Sequence, residues 1–148
     1  MTPPMEYTGL TLTEGFESCR LEAYLDSKGV PTIAFGHTHG VKMGDSCTQD
    51  QADLWLEQDA QSAIYTVNHY VAIRLTQGEF DALVDFVFNV GAGNFANSTL
   101  LRKLNSGDVA GSAEEFERWD MSGGQHIAGL LRRRKAEEAV FDGDPPAS

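Results

Sequence analysis

Residues 16–38 read FESCRLEAYLDSKGVPTIAFGHT. Hydrophobic residues alternate loosely with polar ones on both sides of a turn at 27–29, which favours a small hairpin or three-stranded sheet; no other stretch of the chain has strand character. The same stretch places Glu17, Asp26 and Thr32 in the spacing E-x8-D-x5-T. Two carboxylates and a hydroxyl, carried from a helix end into a hairpin, could face one another and divide the roles of acid, base and water holder.

Helical patterns surround this stretch. Thr-x-x-Gln and Thr-x-x-Glu capping boxes begin at Thr48 and Thr76, and apolar residues at helical spacing follow each of them to about Tyr70 and Val90. We therefore predict an α+β fold, with a small N-terminal β-sheet lobe packed against a mainly helical bundle and a cleft between the lobes. The predicted single domain spans 1–148, with an N-terminal helix at about 8–19, a β-containing lobe at about 20–47, a helical lobe at about 48–141 and a tail at 142–148.

Composition excludes several classes of protein. The chain has 148 residues and a formal charge of −11, which argues against nucleic-acid binding because phosphate contacts need clustered Lys and Arg. No apolar run is long enough to span a membrane, and the N-terminus lacks the pattern of a signal peptide. Cys19 and Cys47 are too few for a disulfide framework and have no metal-ligand spacing, so we expect reduced thiols, although a bridge between them stays open. We expect a monomer without metal or cofactor.

The three spaced residues suit the cleavage of an acetal between two sugars. Glu17 follows Phe16 near a predicted helix C-terminus, an environment that suits a proton donor. Asp26 lies in a solvated turn, where it can stay ionised and act as base. Thr32 follows beyond the turn, so its hydroxyl can return close to Asp26 and hold a water.

Several further motifs occur in a consistent order. Together with the E-x8-D-x5-T spacing, the chain closely resembles the phage-type lysozymes, or muramidases, over roughly residues 8–141. The motifs that carry this resemblance are Gly36-His37-Thr38, Phe88-Asn89-Val90-Gly91, residues 98–104 (STLLRKL), Arg118-Trp119 and residues 129–134 (GLLRRR).

The resemblance implies a lysozyme-like fold and a role for each matching residue. It implies Glu17 as general acid, Asp26 as the base that activates water, and Thr32 as the residue that positions it, with inversion at the anomeric carbon. It places Thr38, Phe88, Asn89, Ser98 and Arg132 along the saccharide cleft and His37 in a structural pair with Asp59. At least one of the three consecutive arginines should point inward, and Arg132 is the candidate.

The position of the acid has two candidates. Glu14-Gly15 provides the dipeptide usual in the family, whereas Glu17 is followed by Ser18. We favour Glu17, because it keeps eight residues before Asp26 without a gap. Choosing Glu14 would require a three-residue insertion that rotates the acid by about 300° around the helix.

The resemblance implies a peptidoglycan hydrolase that cleaves between N-acetylmuramic acid and N-acetylglucosamine. Without an export signal, the expected setting is a phage endolysin that accumulates in the host cytoplasm and reaches the peptidoglycan through holin lesions, without stable membrane insertion. Three alternatives stay open: a catalytically silent module that binds peptidoglycan, a lytic transglycosylase, and an antibacterial effector lysozyme.

Overall fold

A computed structural model of the protein describes residues 4–143. These residues form two compact units, one of residues 10–62 and the other of residues 4–9 with 63–143. The predicted boundaries at 1 and at 148, with the last five residues of the predicted tail, lie outside the described residues. Among the residues described, no helix is long and apolar enough to cross a membrane.

The unit of residues 10–62 contains the predicted hairpin. Helix α1 (Leu10–Phe16) leads into strand β1 (Arg20–Leu25), which pairs antiparallel with β2 (Pro31–Ala34). On its other edge β1 meets the chain at Ser46 through a single bridge, flanked by backbone bonds at 45 and 47. The structure thus has the predicted hairpin, whereas the third strand that the alternating pattern also allows is reduced to this single bridge.

The other elements are mainly helical, and the predicted α+β class is confirmed. Thr48 begins α2, because its hydroxyl accepts from the amide of Gln51 at 3.1 Å. Thr76 and Glu79 form the complete capping box of α3. In chain order the helices are α2 (Gln49–Tyr70), α3 (Gln77–Val90), α4 (Ala92–Ala96), α5 (Thr99–Asn105), α6 (Val109–Glu115) with a 3-10 turn (Phe116–Arg118), and α7 (Ala128–Phe141).

Helix α3 is the centre of the larger unit. Every residue from Phe80 to Val87 is buried, as the nearly continuous apolar sequence predicts. Helix α7 packs closely against it: a Cβ on Gly78 would lie only 2.5 Å from the carbonyl oxygen of Val140. A glycine is therefore needed where these two helices meet.

The segment of residues 4–9 is fastened to the same unit by side chains. The backbone amide of Thr8 donates to Oδ1 of Asp81 at 3.0 Å, and its hydroxyl donates to the other carboxylate oxygen. Asn68 accepts from the amide of Met5 at 3.1 Å and donates to its carbonyl oxygen at 3.2 Å. The two bonds from Thr8 give hydrogen-bond partners to both carboxylate oxygens of Asp81, which is only 7% exposed.

Two predicted features need correction. A second hairpin, β3 (Met121–Ser122) with β4 (Gln125–His126), shows that residues 20–47 are not the only β region. Its turn is Gly123-Gly124, with φ values of 58° and 80°, which suit a tight two-residue hairpin turn. Helix α1 ends at Phe16 rather than near residue 19, because β1 already begins at Arg20. Gly91 is the C-cap of α3, which ends where predicted, and Gly93 lies within the short α4.

Candidate active site

Glu17 lies directly after the last residue of α1. Its amide still donates to the carbonyl oxygen of Thr13 at 3.0 Å, so the last helical turn fixes its backbone. The side chain is half-buried, whereas Glu14, in the preceding turn, is exposed. The structure therefore gives the two candidate acids different surroundings, and Glu17 has the more enclosed one.

Asp26 begins the turn of the β1–β2 hairpin. Its Oδ1 accepts from the amides of Lys28 and Val30, both at 2.8 Å, and its own amide donates to the carbonyl oxygen of Val30 at 3.0 Å. This is the self-bonded turn that Asp readily forms. The carboxylate orientation is consequently set by the backbone of the turn itself.

The hairpin register brings Thr32 to the same face as Asp26. Tyr24 pairs with Thr32 and Leu25 with Pro31, so Asp26 stands opposite Val30 and diagonal to Thr32. Diagonal neighbours on one face are about 7–8 Å apart, close enough for one water between two side chains. Thr32 is 3% exposed, and its hydroxyl donates to the carbonyl oxygen of Val30 at 2.8 Å. Its oxygen therefore keeps an acceptor role.

The turn after β2 approaches the carboxylate of Glu17. Ile33 and His37 exchange two backbone hydrogen bonds of 2.9 Å, and they close a turn in which Ala34 and Gly36 have φ values of 57° and 80°. A Cβ at Gly36 would lie 3.6 Å from Oε2 of Glu17. Glycine at this position relieves the backbone strain and leaves room beside the acid.

The structure brings the predicted pair of His37 and Asp59 together. Nδ1 of His37 lies 2.8 Å from Oδ2 of Asp59, and the histidine is 8% exposed. Trp55 stacks on the same imidazole, a contact that the sequence did not predict, with ring centroids 4.5 Å apart and an interplanar angle of 4°. The spacing of four residues puts Trp55 and Asp59 on one helix face, but it does not by itself bring Trp55 against His37.

The predicted substrate-binding residues have differing environments. Thr38, Asn89 and Arg132 are exposed, Phe88 is half-buried, and Ser98 is buried. The hydroxyl of Ser98 caps α5, accepting from Leu101 N at 3.1 Å and donating to the carbonyl oxygen of Phe95 at 2.7 Å. Ser98 therefore has an observed structural role, and contact with a sugar stays a prediction for all five residues.

The choice of Arg132 as the inward-pointing arginine is wrong. Arg133 and Arg134 are 4% and 0% exposed, whereas Arg132 is exposed. Arg133 forms a bidentate pair with the buried Asp85, and both bonds measure 2.9 Å. The error arose because the interior holds acidic partners, Asp85 and Glu137, which the apolar pattern of α3 and α7 does not reveal.

The structure also describes the two cysteines and the side chains that could bind a metal ion. Cys19 and Cys47 are both free thiols; Cys19 is exposed and Cys47 half-buried. Burial, with a smaller contribution from Cys19, raises the pKa of the Cys47 thiol above its ordinary value. Within residues 4–143, no group of three or more His, Cys, Asp or Glu side chains could hold a metal ion.

Comparison with known proteins agrees with this arrangement. The family model described as phage lysozyme matches residues 14–137. An endolysin from Acyrthosiphon pisum secondary endosymbiont phage 1 is 40% identical over 138 residues, covering 90% of this chain and 94% of that protein. A SAR-endolysin from Bacteriophage PS119 is 37% identical over 134 residues, covering 90% of this chain and 80% of that protein.

A solved structure shows the same similarity in three dimensions. The endolysin from Escherichia coli O157:H7 phage FAHEc1 has a TM-score of 0.88 and 33% sequence identity, and the match covers 98% of this chain and 99% of that one. The fold, the order of the motifs and the matched family model thus agree over most of the chain. The chain therefore belongs to the phage lysozyme family, and it is a peptidoglycan hydrolase of that family.

Proposed function

We propose that this lysozyme cleaves the β-1,4 bond between N-acetylmuramic acid and N-acetylglucosamine with inversion at the anomeric carbon. The observation that carries the proposal is the hairpin register, which puts the side chains of Asp26 and Thr32 on one face. The half-buried Glu17, against the turn at Gly36, supplies the second carboxyl group. An inverting glycosidase needs one carboxyl group that protonates the leaving oxygen and a second that activates a water on the opposite face of the sugar ring.

Each side chain then has one step in a single displacement. Glu17 donates its proton to the glycosidic oxygen as the bond to the anomeric carbon breaks. A water donates one hydrogen bond to Oγ1 of Thr32, whose own proton is held by the carbonyl oxygen of Val30. The oxygen of that water attacks the anomeric carbon from the opposite side, and Asp26 takes the proton that the water loses. The products are two sugar chains, one with a new reducing end in the α configuration.

Substitution of the two candidate acids tests the assignment. Glu17→Gln keeps the shape but removes the proton donor, so we expect dye release from labelled peptidoglycan to fall on the order of 10³-fold. Glu14→Gln, in the exposed turn one step earlier in α1, is the matched control and should keep most of the activity. Equal losses in the two variants would overturn the choice of Glu17.

Analysis of the fresh products tests the mechanism. Proton NMR during early turnover should show the α anomer of the new reducing end before mutarotation equilibrates it. A first-formed β anomer would exclude inversion. Anhydro ends in the mass spectrum of the released fragments would show a transglycosylase, and a wild type that sediments with walls without cutting them would show a binding module.

Glycan contacts are proposed for the exposed Asn89 and Arg132, and likewise for Thr38 and Phe88. Their alanine variants should raise KM while kcat changes less, because such contacts hold ground state and transition state alike. Unchanged KM in all four would remove them from the binding surface. Ser98→Ala differs, since it also removes the cap of α5 and should lower stability by about 1 kcal/mol.

We propose phage-mediated lysis of the host as the setting, with the enzyme acting as a monomer. Relatives named endolysin and SAR-endolysin support a role in lysis. In the proposed route the protein accumulates in the host cytoplasm and reaches the wall only through holin lesions. Expression in host cells should then cause lysis with a co-expressed holin and none without it, and lysis without holin would contradict this route. Sedimentation equilibrium should give the mass of a single chain.

A further inference from the structure

We infer that Trp55 is a positioning residue for the proposed acid Glu17, acting through the imidazole of His37. The inference rests on the proposed role of Glu17. The three residues lie in the unit of residues 10–62. Trp55 is on α2, His37 is in the turn after β2, and Glu17 directly follows α1.

The first step is the hold of α2 on His37. Trp55 and Asp59 are one helical turn apart, so they project from the same side of α2. Asp59 contacts the ring edge through Nδ1 at 2.8 Å, while Trp55 covers a ring face at 4.5 Å and within 4° of parallel. The carboxylate alone would allow the imidazole to tilt about the Nδ1 contact, and the stacked indole removes that freedom.

The second step is the connection from His37 to its turn. The backbone amide and carbonyl of His37 both bond to Ile33 at 2.9 Å. These two residues therefore close a turn that has only three residues between them. Ala34 in this turn has a φ of 57°, which is unfavourable for a residue with a Cβ. A strained turn persists only where its surroundings hold it, and His37, 8% exposed and held by two side chains, is part of that support.

The third step is the contact with the acid. Gly36, next to His37 within the turn, lies so close to Glu17 that a Cβ there would be 3.6 Å from Oε2. A shift of the turn therefore changes the space in which the carboxyl group lies. Proton transfer depends on the placement of the donor, and a displacement of about 1 Å can cost on the order of 100-fold in rate.

Three variants of Trp55 separate stacking from bulk. Trp55→Phe keeps an aromatic face, whereas Trp55→Leu and Trp55→Met keep apolar volume without one. We expect kcat on peptidoglycan to fall about tenfold in the Leu and Met variants, with KM within about twofold of wild type and most of kcat recovered in the Phe variant. Val140→Ala, which removes buried methyl groups in the other unit, is the control for lost stability alone and should leave kcat unchanged.

An NMR measurement reports on the inference without activity. In the wild type, the indole should shift the carbon-bound ring protons of His37 upfield. That shift should shrink in the Leu and Met variants and persist in part in the Phe variant. Wild-type kcat in the Leu and Met variants, a loss confined to KM, or a Phe variant no better than Leu would overturn the inference. An inactive wild-type enzyme with the expected His37 signals would instead count against the proposed function.

Discussion

Replacing Asp85 by Asn should destabilise the protein more than any surface substitution. Asp85 lies within α3, its side chain 0% exposed, and it pairs with Arg133 of α7, whose side chain is 5% exposed. The two bonds, Nε to Oδ2 and Nη2 to Oδ1, both measure 2.9 Å. Asn keeps the shape but removes the negative charge, and its NH2 group cannot accept the second bond.

The size of the effect follows from this geometry. Two charge-assisted bonds contribute about 1.5–3 kcal/mol each, and the Asn carbonyl oxygen can retain about 1 kcal/mol of that. The remaining loss of about 3 kcal/mol agrees with the 3–5 kcal/mol typical of breaking a buried pair and leaving one charge uncompensated. Glu137 compensates poorly, because burial, with a smaller contribution from Asp85, raises the pKa of its carboxyl well above the ordinary value.

Urea unfolding followed by far-UV circular dichroism measures this loss. Asp85→Asn should lower the free energy of unfolding by about 3 kcal/mol, and the melting temperature by about 10 °C for a chain of this size. The matched control is Asp108→Asn, because Asp108 is exposed and caps α6, a position that Asn fills equally well. The double variant Asp85→Leu with Arg133→Met should recover most of the stability, since no charge is left unpaired.

A loss below about 1 kcal/mol in Asp85→Asn would refute this reasoning. It would mean that water or a neighbouring carboxylate replaces Asp85 at no cost. A double variant as unstable as the single one would show that shape, and not charge pairing, sets the stability of this part of the interior.

Three other substitutions test separate features. Burial and a hydrogen bond with Glu117 raise the pKa of Glu138 from 4.5 to about 7, so the free energy of unfolding should fall as pH rises between these two values. Glu138→Gln should add about 1 kcal/mol to that free energy at pH 8 and little at pH 4, as measured by urea unfolding. Gly78→Ala places a Cβ 2.5 Å from the carbonyl oxygen of Val140, and calorimetry should show a loss of about 2 kcal/mol. Thr76→Ala breaks the capping box of α3 and should cost about 1 kcal/mol, against no change for a Ser substitution.

The elements that sequence predicts well are those with strong local signals. The capping box of α3 is complete, Thr48 caps the first turn of α2 through its hydroxyl, and α2 and α3 end at the residues expected, because caps and a terminal glycine act within a few residues. The hairpin register likewise follows from alternation and turn chemistry, and it brings Asp26 and Thr32 to one face as expected. The pairing of His37 with Asp59 required the family resemblance, since 22 residues separate them.

What sequence did not reveal depends on contacts with remote parts of the chain. The burial of Arg133 and Arg134 could not be predicted from a run of three cations, because their partners on α3 and α7 are hidden within apolar patterns. The two-residue strands of the second hairpin are too short for a periodic signal, although Gly123-Gly124 marks the turn. Stacking of Trp55 on His37 depends on the position of α2 beside the turn, which spacing along α2 alone does not give.

The bonds from Thr8 to Asp81 have a consequence for the order in which this chain folds during synthesis. The two residues are 73 positions apart, and everything in the unit of residues 10–62 is made between them. That unit can close from neighbouring sequence as it leaves the ribosome, whereas Asp81, the partner of Thr8, is made only with α3. Closing so long a loop costs roughly 4 kcal/mol of chain entropy. Thr8 therefore reaches its native position later than the unit of residues 10–62, although it is made before it.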